Sequence, residues 1–101
     1  MEEQIRSMQL QEYIQSLELN EPPPQLSIHL LSLWYDAKGN WDKAHELIND
    51  LSDKNSCWVH AYLHRKEGDL GNAGYWYRNA GKQMPAVSLQ QEWEQIVNAL
   101  L

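Results

Sequence analysis

Apolar residues in this chain recur at intervals of three and four, the spacing that lines up one face of an α-helix, and no segment sustains the two-residue alternation of a strand. Residues 2–18 place Ile5, Met8, Tyr13, Ile14 and Leu17 near one face and predict a weakly amphipathic helix. Pro22, Pro23 and Pro24 exclude a helix interior and predict an extended linker over 21–25. From 25 to 38 the chain is apolar around much of a helical circumference, as in a central helix packed on more than one side. Trp41, Ala44, Leu47, Ile48 and Leu51 form one stripe, and Trp58, Ala61, Tyr62 and the methylene stem of Arg65 form the next. Leu70, Ala73, Trp76, Tyr77 and Ala80 repeat it. Ser88, with Gln91 in the capping-box position, opens a last helix carrying Leu89, Trp93, Ile96, Val97 and Leu100. Gly39, Gly68 and Gly81 each follow a helical pattern as stops, and Pro85 closes the last break. The predicted fold is all-α and a single domain over 1–101. An N-terminal helix occupies 1–20, helical hairpins occupy 26–52 and 54–82, and a capping helix occupies 88–101.

Sliding the chain against itself by 29 residues sets Gly39 on Gly68, Asn40 on Asp69, Trp41 on Leu70, Ala44 on Ala73, Leu47 on Trp76 and Ile48 on Tyr77. Each glycine can take the left-handed conformation that ends a helix, and the Asn or Asp after it can cap the next. The small Ala lets paired helices approach closely, so the repeat predicts tight antiparallel hairpins. The stretch through Ala61, Gly68, Leu70, Ala73, Tyr77, Ala80 and Pro85 resembles a tetratricopeptide repeat. The copy through Tyr35, Gly39, Trp41, Ala44, Ile48 and Leu51 is similar but lacks the second Ala and the proline, and its 29-residue period is shorter than that family's. The run WVHAYLHRKEGDLGNA is also similar to small bacterial proteins of unassigned function. The resemblance implies hairpins stacked as a short α-α superhelix, whose first helices line a groove for extended peptides. It implies no catalytic activity and no cofactor.

Composition fits a packed domain: of 101 residues, 43% are hydrophobic and 22% charged, ordinary values for a globular chain. Five Trp, five Tyr and no Phe mean that most large side chains carry a polar tip that needs a partner when buried. A net charge of −6 argues against general affinity for nucleic acid. The charge is uneven, at −7 over residues 1–53 and +1 over 54–101, which makes charge-driven homo-oligomerisation an expectation. No segment approaches the roughly 20 apolar residues of a membrane span, and the start lacks a signal-peptide pattern, so the expected location is cytoplasmic. A single cysteine, Cys57, excludes an internal disulfide and reads as a buried, inert thiol.

Function is narrowed rather than named by these patterns. The first expectation is a non-catalytic scaffold binding a protein or peptide. Tyr35, His60 and His64 sit at first-helix positions beside Arg65, Arg78 and Lys82, a set suited to the carboxylates of an acidic peptide. The second is a small metal-binding protein, because His60, His64 and Glu67 lie near one helical face. Against both stands the plainer expectation that the histidines satisfy backbone or tyrosine partners, or titrate as a mildly pH-sensitive surface. Cys57 and His60 are three apart, but no orienting carboxylate or oxyanion hole accompanies them, which argues against an enzyme. Gly71 and Gly74 fall inside the last hairpin's second helix; either that helix starts late or a backbone or ligand passes close.

Overall fold

A computed structural model describes residues 8–101. Six helices follow one another: α1 (Leu10–Gln15), α2 (Ile28–Ala37), α3 (Trp41–Ile48), α4 (Lys54–Glu67), α5 (Leu70–Ala80) and α6 (Leu89–Leu100), with a 3₁₀ turn over Ser16–Glu18 extending α1. Among the described residues there is no strand, and no helix is long and apolar enough to cross a membrane.

Helix ends are set by local chemistry that the sequence displays. Ser27, Asn40, Asp53, Asp69 and Ser88 each accept, through the side chain, a backbone N–H in the first turn of the helix they precede. The stops share one closure. The N–H groups of Asn40, Asp69 and Lys82 reach back to the carbonyls of Tyr35, His64 and Tyr77, at 2.9, 3.0 and 2.9 Å. This wrap requires a left-handed residue just before the donor, supplied by Gly68 at φ 91° and Gly81 at φ 74°.

α2 pairs with α3 and α4 with α5 as antiparallel hairpins, while α2, α4 and α6 also meet one another. The main core holds Leu30, Leu33, Trp34, Ile48, Leu63 and Ile96 among others, and a smaller cluster of Ala61, Ala73 and Tyr77 seals α4 to α5. The buried aromatic tips find partners: Trp34 Nε1 donates to Ser16 Oγ, Trp93 Nε1 to the Leu33 carbonyl and Tyr13 Oη to the Leu30 carbonyl. These bonds bring α1 and α6 onto α2. α6 therefore spans both hairpins rather than covering the second alone, and Lys38 Nζ binds the Leu17 and Leu19 carbonyls where α1 ends.

Three details differ from the sequence pattern. The first helix is shorter than 2–18: it begins at Leu10, Ile5 lies outside the described residues, and Ile14 is 38% exposed while its neighbour Tyr13 is fully buried. Leu70, expected on an inner face, is 55% exposed in the opening turn of α5. At Gly71 neither a late helix start nor a neighbouring backbone is the cause. α5 starts on time, and a Cβ added there meets nothing within 4 Å; at Gly74 it meets only Arg78 Nη1, at 3.7 Å. Gly71→Ala is accordingly expected to raise stability by about 0.5–1 kcal/mol through helix propensity alone, seen as a higher midpoint in thermal melting by circular dichroism. A lower midpoint would mean that the site is not open.

Candidate metal centre

α4 is buried on most of its circumference, so His60 and His64, four apart on one side of it, are carried out of water: they are 2% and 7% exposed. A third imidazole meets them from α3. Asn40 starts α3 so that Trp41 and His45 stand one turn apart on the side packed against α4. Trp41 is pinned by its Nε1–H to the Leu63 carbonyl at 2.8 Å, and the His45 ring stacks on it at 4.9 Å and 9°. From α5, Trp76 stacks on His60 at 4.0 Å and 16°. Two indoles thus form walls that fix two of the three imidazoles.

Ligand nitrogens of His45, His60 and His64 all lie within 4.8 Å of one another. His45 Nε2 and His60 Nε2 are 3.1 Å apart, close to the about 3.3 Å separating two nitrogens on a tetrahedral zinc at ordinary Zn–N distances. His64 Nδ1 bonds Glu67 Oε2 at 2.7 Å, which fixes the proton on Nδ1 and leaves Nε2 as the ring's lone-pair nitrogen. Asn72 Nδ2 stands 3.4 Å from that Nε2. Carboxylate, imidazole and lone pair in line form the orientation that metal-binding histidines ordinarily have. His60 Nδ1 is buried and has no hydrogen-bond partner among the described residues.

Electrostatics disfavour the charged form at two of the three imidazoles. Burial, then the neighbouring His45 and His64, push His60 down to about 4, and burial together with His64 lowers His45, although Glu67 and Asp42 act the other way. His60 is therefore neutral near pH 7 and can offer a lone pair without first losing a proton. His60 and His64 lie inside rather than on a surface, and among the described residues they meet His45 and Glu67 rather than backbone or tyrosine partners.

The residues first assigned to a peptide site are not brought to one face. His60 and His64 are interior, while Tyr35 is half-buried on α2 beneath Lys43, whose Nζ is 5.7 Å from its ring centroid. Arg65 is committed inward: Nη1 donates to Glu92 Oε1 at 2.7 Å and Nη2 donates to the Val87 carbonyl. Glu92 is 1% exposed and also receives Tyr77 Oη, so Arg65 neutralises a buried carboxylate. Lys82 Nζ lies over the Trp58 ring at 4.0 Å, and Arg78 is exposed on α5. Cys57 is buried, its Sγ facing the Ser52 carbonyl, and burial pushes its thiol up, away from nucleophilic use. His45 was missed because the α3 stripe was drawn through apolar residues only. Its position four residues after Trp41, on the same face, was the available signal.

Because the folded value of His60 lies near 4 and the ordinary one at 6.5, the unfolded chain binds more protons than the folded one between those limits. Stability of the metal-free protein is expected to fall as pH drops through that window, by on the order of 3 kcal/mol. Urea unfolding with chelator present, at points from pH 7 to 4, measures it. The loss should be smaller in His60→Leu, and identical pH slopes for the two proteins would refute the assignment. No protein-family model, no curated protein and no solved structure matches this chain, so its function is read from these side chains alone.

Proposed function

We propose that this chain is a small helical metal-binding protein that holds one divalent transition ion, zinc by preference, through His45, His60 and His64. The observation that carries this is the convergence of three buried or half-buried imidazoles from two helices, with ligand atoms within 4.8 Å. Imidazole donors suit zinc and its neighbours, and three histidines are a common ligand set for zinc. Glu67 supports the site from behind His64. Wild type is expected to bind one zinc ion in competition with a chromophoric chelator, with affinity about 10–100-fold lower in Glu67→Gln and lower still in His45→Ala. His45 is only half-buried, so its loss tests binding with little cost in folding. Unchanged zinc affinity in folded His45→Ala would end the proposal.

A second reading, a protein- or peptide-binding scaffold of tetratricopeptide-like type, is supported by a separate feature. α2 pairs with α3 and α4 with α5 as two successive hairpins, and α2, α4 and α6 meet one another. Beside α1 lies a cavity of about 320 Å³ lined by Ile14, Leu17 and Trp93 together with Lys66, Gln90 and Glu94. A partner would dock there rather than on Arg65. Ile14→Asp, at an exposed position, should strip specific partners from a pull-down while leaving the helical spectrum intact. The same captured proteins in both forms would count against this groove.

A further inference from the structure

Three histidines do not complete a tetrahedral ion, so the groups around the cluster bear on what the fourth ligand would be. Among the described residues no carboxylate or thiol joins the group of ligand atoms that the three histidines form. Glu67 Oε2 takes the His64 Nδ1 proton at 2.7 Å, and Asp69 Oδ1 takes the Asn72 backbone N–H at 3.2 Å as the cap of α5. The walls, Trp41 and Trp76, have no donor lone pair to offer a metal. Cys57, on the same helix, turns its sulfur to the Ser52 carbonyl. What remains is the Asn72 carboxamide, whose Nδ2 lies 3.4 Å from His64 Nε2, the nitrogen whose lone pair would go to the ion. Once that lone pair binds metal, the Asn72 N–H loses its acceptor and stands beside the coordination sphere.

Resting on the metal reading above, we propose that the fourth position is open and takes an exchangeable small ligand, water or a small anion, which Asn72 steadies as hydrogen-bond donor. The site is then of the open class, in which the protein supplies three ligands and the solvent or a substrate supplies the fourth, rather than the closed class that only holds a fold together. Its ligand class is small and anionic: a compact oxyanion or pseudohalide that fits between two indole walls, bonds the metal through one atom and accepts an N–H through that atom or another. Asn72 is exposed and sits in the first turn of α5, so the approach to this position is from solvent. In this scheme Asn72 does not hold the metal. It acts on what the metal holds.

The test uses the full chain loaded with one equivalent of cobalt(II), whose visible bands report coordination, titrated with azide and then with inorganic phosphate. The expected result is a saturable change of the bands with azide in wild type. Asn72→Ala should require about tenfold more azide, the loss expected for one hydrogen bond to a charged acceptor, with cobalt affinity unchanged. Asn72→Asp places a carboxylate at the open position; it should bind cobalt more tightly and lose the azide response. Failure of wild type to bind cobalt at all would overturn the metal reading itself. Cobalt bound with bands indifferent to azide would leave that reading standing and overturn the open position. An azide response equal in wild type and Asn72→Ala would overturn the role given to Asn72.

Discussion

The burial of α4 is the constraint from which the rest of the molecule follows. Eight of its 14 residues are buried, and Ser56, His60 and His64 go inside along with Val59, Ala61, Tyr62 and Leu63. A helix taken out of water on nearly every side has to be met by partners for its polar groups. α3 brings His45, α5 brings Trp76, α6 brings Glu92 within reach of Arg65, and α2 brings His29, whose Nε2 lies 2.9 Å from Ser56 Oγ. α1 and α6 are tied to α2, the neighbour of α4, through Tyr13 and Trp93. The fold is the arrangement that serves one buried helix.

Much of that arrangement was legible in advance. The helix starts at Asn40, Asp69 and Ser88 and the stops at Gly68 and Gly81 are local events, decided within five residues by a side-chain acceptor or a left-handed backbone. Sequence shows such events directly. Half of the site was legible for the same reason, since His60, His64 and Glu67 share one helix face. His45 was not, because its meeting with His60 depends on how α3 crosses α4, and crossing is set by packing over 15 residues of intervening chain. The reading of Arg65 failed in a related way. Its stem was placed correctly on the inner stripe, but the buried carboxylate that draws its guanidinium inward belongs to α6, 27 residues away.

The same distance explains the fate of the basic cluster. Arg65, Arg78 and Lys82, with Lys66 next to Arg65, are close in sequence and read there as a set for an acidic peptide. Lys66 instead reaches the 2%-exposed Asp36 on α2, with Oδ1 at 2.9 Å, while Tyr62 Oη holds Oδ2. Two buried acids, Asp36 and Glu92, thus consume Lys66 and Arg65, and burial beside these acids pushes the Tyr62 and Tyr77 hydroxyls up. Pairing one buried carboxylate from each of two helices with a cation from α4 contributes register more than attraction, since the Coulombic gain is largely offset by desolvation. A cation used in this way is not available to a peptide. The acidic-peptide expectation therefore loses Arg65 as an anchor for a structural reason.

The histidine cluster stands apart from these paired groups. Asp36 and Glu92 are buried with all their needs met, whereas His60 is buried with one nitrogen unpartnered, against a second imidazole whose nitrogen is 3.1 Å away. An unmet buried polar atom costs about 1–3 kcal/mol. Leucine at the same positions would carry none of this cost. Among the described residues His60 Nδ1 is where polar satisfaction is given up, which marks the cluster as the candidate site. The stacked indoles, the carboxylate behind His64 and the amide beside it are not needed to fold two hairpins. They hold three imidazoles close together, and the proposed metal site rests on that placement.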